Sequence, residues 1–322
     1  MKINIERSFQ QYLEMNGIDV AMLLGEAKIP NLLWKEELKL DEDQFFRLQE
    51  VLGHYLTDKQ ILAISDIKSL QLFMPALFAA LSALDGLQAL HRFARYKSLV
   101  GPVKIDIIEE KDSIQVSLSP ASANYQFSYF SVVNELSLIL SILRTGTGKE
   151  IAPITIKQPY SVGQDILEFW NAPVENGNAV VISFSTESLE QPFLTKNNTM
   201  WQMIQPELER QLEELHTQEA FLNIVHQELQ RLIVGGEATV DHLASNMGLS
   251  TRTLQRKLKK EQTTFKVELQ AAQFNMAIGF AKQEQLSTEE IAYLVGYSEV
   301  SAFYRAFKKW SGMTFKQYLI VN

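Results

Sequence analysis

The chain contains no cysteine. That absence excludes disulfides, thiolate metal sites and a thiol nucleophile. Long hydrophobic runs are missing too. The most apolar stretch, Leu70 to Leu84, is interrupted by Gln71, Pro75 and Ser82, is too short to span a bilayer, and reads as a buried core helix. The opening residues, Met1-Lys2-Ile3-Asn4-Ile5-Glu6-Arg7, lack the apolar segment a secretory signal requires. A cytoplasmic protein without a membrane partner is expected. Histidine is scarce, and His54, His91, His216, His226 and His242 show no metal-ligand spacing. Carboxylates are plentiful but fall into no catalytic pairing, so they read as solvated faces. Thr145-Gly146-Thr147-Gly148-Lys149 falls short of a phosphate loop, because Leu143 stands where a Gly is required and Glu150 follows the Lys. It reads instead as a polar loop between a helix and a strand. No catalytic residue, metal or cofactor is expected, and the chain is read as a non-enzyme.

What is present is an ordinary globular composition, 46% hydrophobic and 21% charged over 322 residues, which suits two domains. The net charge of −8 is unevenly spread: residues 1–216 carry −10 and residues 217–322 carry +2. Ser250 to Lys260 holds five cations and no anion, and Val300 to Lys316 holds four cations and no anion. Compact basic patches on an acidic molecule suit phosphate contacts.

Both patches follow a duplicated phrase. Leu243-Ala244-Ser245-Asn246-Met247-Gly248-Leu249-Ser250 is matched by Ile291-Ala292-Tyr293-Leu294-Val295-Gly296-Tyr297-Ser298. In each, a short amphipathic helix ends at a Gly that can take a positive φ, an apolar residue follows, and a Ser is placed to cap the next helix. The first copy continues Thr251-Arg252-Thr253-Leu254-Gln255-Arg256-Lys257-Leu258-Lys259-Lys260. The second continues Glu299-Val300-Ser301-Ala302-Phe303-Tyr304-Arg305-Ala306-Phe307-Lys308-Lys309-Trp310. With a shift of one residue, Phe303 and Phe307 match Leu254 and Leu258, Arg305 matches Arg256, and Lys308-Lys309 match Lys259-Lys260. Packing explains a repeated apolar face but does not require repeated cations on the opposite face. A helix of this width fits a DNA major groove.

From about residue 217 to 320 the chain resembles the DNA-binding domain of the AraC/XylS family of bacterial transcription regulators. The matching words are Leu249 to Leu258, Ile291 to Glu299 and Ser301 to Trp310. The resemblance implies an all-α domain with two helix-turn-helix motifs joined by a linker helix. Val267 to Lys282 is expected as that linker, with Leu269, Phe274, Ala277, Ile278 and Ala281 facing the core. Asp241 is expected to cap the first scaffold helix, and Ser287 with Glu290 to form a capping box on its counterpart. The family's usual linker Arg is replaced by Gln273, and its usual Ser-Pro with Tyr-Arg near the end by Thr314-Phe315 with Tyr318-Leu319, which implies a lighter phosphate grip. Gly279 costs the linker about 1 kcal/mol relative to Ala.

Further upstream the period changes along the chain. The first hundred residues read as helices, with Asp41 as an N-cap and helical patterning from Pro75 through Tyr96. Val103–Ile107 and Ile114–Leu118 alternate as strands about a turn at Lys111-Asp112. A helix over Phe130–Leu143, a strand at Ile151–Ile156, a helix near Val162–Phe169 and a strand at Ala179–Phe184 complete an α+β domain. Residues 15 to 200 resemble the arabinose-binding-type N-terminal domain of some of the same regulators, with Gln158 where that group often has His. Between Asn197 and Gly235 apolar residues recur every seven positions from Trp201 to Leu232, and Pro206 suits a first helical turn. A dimer seam and a connecting helix both fit, the second preferred for Glu219–Val234.

The expected organisation is therefore multidomain. An α+β effector-binding and dimerisation domain (1–200) is followed by a connecting helix (201–218) and an all-α reader with two helix-turn-helix motifs and a linker helix (219–322). The resemblance implies a sequence-specific DNA-binding transcription regulator, an effector-responsive activator reading two adjacent major-groove segments. The alternative is a protein-interaction or co-regulator module using the N-terminal domain for partner binding. Its partners would be double-stranded promoter DNA and RNA polymerase, with a small-molecule effector and a homodimer left open. By match to the family pattern the DNA-binding candidates are Thr251, Arg252, Gln255, Arg256, Lys259, Lys260, Ser301, Ala302, Arg305, Lys308 and Lys309. Arg and Gln offer bidentate contacts to guanine and adenine, while the lysines suit phosphates. Enzymes for alkyl-transfer repair share this reader, but the lack of cysteine closes that route.

Overall fold

The computed structural model describes residues 2–29, 37–70, 74–281, 286–311 and 314–321. The chain forms two compact units, Met1–Leu215 and His216–Asn322. Among the described residues no helix is long and apolar enough to cross a membrane.

In the first unit come β1 (Lys2–Glu6), α1 (Arg7–Met15), α2 (Val20–Glu26), β2 (Glu37–Asp41), α3 (Glu42–Tyr55), α4 (Asp58–Ile64), α5 (Ile67–Leu70), α6 (Pro75–Leu81) and α7 (Gly86–Tyr96). After one 3-10 turn (Lys97–Leu99) follow β3 (Val103–Glu109), β4 (Ser113–Pro120), α8 (Tyr129–Thr147), β5 (Thr155–Gln158), α9 (Gln164–Trp170), β6 (Val174–Asn176), β7 (Val180–Ser185) and α10 (Thr186–Leu189). A long helix, α11 (Asn198–Val234), starts in this unit and ends in the second. The second unit adds α12 (Val240–Asn246), α13 (Thr251–Lys260), α14 (Phe265–Ala281), α15 (Thr288–Leu294), α16 (Val300–Ser311) and α17 (Phe315–Val321).

Five strands form a sheet in the order β3-β4-β7-β5-β6, antiparallel except for the β5/β6 pair. Alternation puts Ile114, Val116, Leu118, Ile156, Val180, Ile182 and Phe184 into the core with α8, which is buried along most of its length. The outer face mixes polar and apolar residues, with Gln115 beside Ser183 and Ser117 beside Val181.

Several expectations needed correction. The opening hundred residues are not wholly helical, since β1 pairs antiparallel with β2. Pro75 to Tyr96 is helical as expected, in two helices, α6 and α7, the second started by Asp85, which accepts from the Gln88 amide at 2.8 Å. Gln71, within the apolar run, lies outside the described residues. The strand expected at Ile151 begins only at Thr155, beyond Pro153, which has no N–H to give a ladder. β6 was not anticipated.

Gly146 and Gly148 sit in no polar loop. α8 continues to Thr147 and ends on Gly148 at φ 68°, whose amide donates to Arg144 O at 2.8 Å. The Phe193 ring lies where a Cβ on Gly146 would be. Pro206 lies inside α11, not in its first turn: the helix starts earlier, with the Asn197 side chain accepting from the Met200 amide at 2.9 Å. The segment 201–218 is helical throughout.

Candidate nucleic-acid interface

Two cores organise the second unit, one under each copy of the duplicated phrase. The first combines Val225, Leu229, Leu232 and Ile233 of α11 with Leu243, Ala244, Leu254, Leu258 and Ala272. The second combines Ala277, Ile291, Ala292, Val295, Phe303, Phe307 and Phe315. α14 supplies Ala272 to one and Ala277 to the other, with Met276 packed against both.

The two turns repeat bond for bond. Gly248 has φ 65° and Gly296 φ 87°, which lets each chain leave its helix without Cβ strain. Around the first, Gly248 N donates to Ser245 O at 3.0 Å and Leu249 N to Ala244 O at 2.8 Å. Around the second, Gly296 N donates to Tyr293 O and Tyr297 N to Ala292 O, both at 2.9 Å. These satisfy the carbonyls a helix end leaves open. Ser250 caps α13 by accepting from Thr253 N at 3.2 Å. Ser298 does not play the matching part: α16 begins at Val300, and the carbonyl of Glu299 accepts from Phe303 N at 3.2 Å. The one-residue shift read between the copies accounts for this.

The first scaffold helix is capped by Thr239, which accepts from His242 N at 3.2 Å, rather than by Asp241. Asp241 lies in the first turn of α12 and accepts from the Thr251 hydroxyl at 2.8 Å, joining α12 to α13. Ser287 and Glu290 form the expected capping box on α15. The helix expected as the linker, α14, begins two residues earlier than expected, at Phe265, and Lys282 lies outside the described residues.

Burial of Leu254 and Leu258 aims the other side of α13 outward. Arg252, Gln255, Arg256, Lys259 and Lys260 are exposed, while Thr251 is half-buried. On α16, Phe303 and Phe307 are fully buried, Ser301, Arg305, Lys308 and Lys309 are exposed, and Ala302 is half-buried. At 100° per residue Arg252 and Arg256 point away from the buried leucines, as Ser301 and Arg305 point away from the buried phenylalanines. Trp310 is half-buried against the second core. Among the described residues, no acidic side chain pairs with any of the seven cations at 252, 256, 259, 260, 305, 308 and 309.

Sequence reasoning missed three features. Tyr304 is exposed at the position that matches Gln255, which the one-residue shift already implied. Glu268 is buried on α14, with His226 Nε2 at 2.6 Å and the Thr263 hydroxyl donating to its carboxylate. Gln273 is buried as well, and its Nε2 donates to Val295 O at 2.9 Å. With Ala272 and Ala277 they are the buried residues of α14, spread over about half of its circumference, a pattern that the apolar count alone hid.

Residues 243–319 match the family described as "Helix-turn-helix domain" (HTH_18). Over 134 residues the chain is 32% identical to the ornithine utilization regulator of Pseudomonas aeruginosa, a match covering 41% of this chain and 38% of that protein. It is 24% identical over 235 residues to the transcriptional regulator VqsM of the same species, covering 69% of each chain. The solved structure of the transcriptional regulator CdpR, also from Pseudomonas aeruginosa, aligns over 98% of both chains with a TM-score of 0.46 and 19% identity. Repeated turns, buried faces and the family match agree: the chain carries a helix-turn-helix domain of the AraC/XylS type.

Proposed function

We propose that this chain is a sequence-specific DNA-binding transcription regulator whose helices α13 and α16 enter two adjacent major-groove segments. The observation that carries the reading is the repeated placement, opposite the buried face of each second helix, of cations that pair with no acidic side chain among the described residues. Packing needs the buried residues but gives no reason for the cations. Arg252, Gln255 and Arg256 offer base-edge contacts from α13, and Arg305 with Ser301 and Tyr304 from α16. Lys259, Lys260, Lys308 and Lys309 suit phosphates. α14, with 17 residues, is about 25 Å long, a stiff spacer compatible with groove segments about 34 Å apart. The relatives' names, an ornithine utilization regulator and a helix-turn-helix-type transcriptional regulator, support the same reading.

In this proposal the first unit governs the reader in response to a small effector, and the regulator activates transcription with RNA polymerase. The family resemblance supports that part. Selection of duplexes from a random library on the purified chain tests the core of the reading. Enrichment of one sequence with two half-elements about one helical turn apart is expected. Retention of all sequences alike would overturn it.

A further inference from the structure

β3 ends the five-stranded sheet, and among the described residues no strand pairs with its outer side. It is seven residues long and leaves Ile108 51% exposed. An open edge of this kind is a template for another strand. Its own sequence indicates which strand. Val103, Ile105 and Ile107 turn toward the core side of the sheet, and Lys104, Asp106 and Ile108 toward the outer side. Among the described residues neither Lys104 nor Asp106 forms an ion pair within the chain.

A second copy approaching antiparallel has few registers open to it. Opposed residues of an antiparallel pair share a sheet face, so keeping both apolar rows on one side requires the two-fold axis to pass through a residue. An axis at Lys104 sets lysine against lysine, and an axis at Asp106 sets aspartate against aspartate; like charges directly opposed are unfavourable. An axis at Ile105 sets Lys104 against the partner's Asp106 and Asp106 against the partner's Lys104. The same register puts Val103 opposite the partner's Ile107, Ile107 opposite the partner's Val103, and Ile105 opposite itself. Val103 N already donates to Gly101 O at 2.8 Å, which limits the ladder on one side.

We propose that β3 is a homodimer interface, with two copies of this chain joined through their edge strands about Ile105. The five strands of each copy then form one continuous sheet. The pair of ion contacts selects the register, and the main-chain ladder supplies the bonds. The surface lies in the first unit and includes none of the residues proposed to meet DNA, so its failure leaves the DNA reading standing.

Sedimentation of the full chain across a concentration series tests it, with circular dichroism to check folding. The wild type is expected to dimerise. D106K and K104D, each setting like charges opposite one another, are expected to weaken the dimer at least tenfold. The double variant K104D/D106K swaps the two charges and is expected to restore it. A monomeric wild type, a dimer indifferent to the single variants, or a double variant no better than the singles would each overturn the proposal.

Discussion

The Gln273 side chain on α14 donates to the carbonyl of Val295, the residue that follows α15 as its C-cap, at 2.9 Å, and accepts from the Tyr297 hydroxyl at 3.4 Å. α14 thereby holds the second glycine turn from beneath. A position expected to bear on phosphate grip is a buried structural tie, and the amide satisfies groups that an apolar side chain would leave without a partner. Q273A is expected to cost about 1–3 kcal/mol, the penalty for an orphaned buried polar group. Thermal unfolding followed by circular dichroism should show a midpoint lower by several degrees. An unchanged midpoint would mean that water or a neighbour replaces the amide.

Arg256 and Arg305 occupy matching places opposite their buried pairs. R256A is expected to lower affinity for the selected duplex by about 1–3 kcal/mol and to relax base choice at one position. Fluorescence anisotropy against single-base variants of that duplex reads both effects. The lysines should behave differently. Each of K259A and K308A is expected to weaken all duplexes alike and to lower the slope of log affinity against log salt by about one unit.

Two glycines inside helices predict opposite signs. On the exposed side of α14 a Cβ at Gly279 would meet nothing within 4 Å, so G279A is expected to stabilise by about 0.5–1 kcal/mol through helix propensity. On α8 a Cβ at Gly146 would run into the Phe193 ring, which is itself 1% exposed. Overpacking there outweighs propensity, and G146A is expected to destabilise by about 1–3 kcal/mol. Urea titrations of the two variants separate the signs; stabilisation by G146A would show that Phe193 can move aside.

Glu209 on α11 accepts from Arg95 Nε at 2.8 Å and Nη2 at 2.7 Å, and from the Tyr96 hydroxyl. The Arg95 guanidinium first, then the Tyr96 hydroxyl, hold its carboxyl below the ordinary value of 4.5. A carboxylate depressed in the folded state contributes stability above its unfolded value and loses that contribution as pH falls through the folded one. Wild-type stability should therefore decline as pH drops below about 4.5, while E209Q, weaker at neutral pH, should decline less steeply. Urea midpoints between about pH 3 and 7 give the comparison. Parallel curves for the two proteins would remove Glu209 from the account.

Short-range physics was legible in the residues. The glycine turns, the Ser250 and Asp41 caps, the Ser287–Glu290 box and the outward face of α13 all follow from side chains a few positions apart. The sequence by itself determined that two similar helix pairs would form and which side of each would carry cations, because a helix face is set by spacing alone. Tertiary structure decided the rest. The β1/β2 pairing and the parallel β5/β6 contact join segments whose partners no local pattern names. Burial of Glu268 and Gln273 depended on His226, Thr263 and Val295 arriving from other elements to meet them. Polar residues look like solvent-facing ones until the fold supplies their partners, and only three-dimensional packing brings those partners within bonding distance.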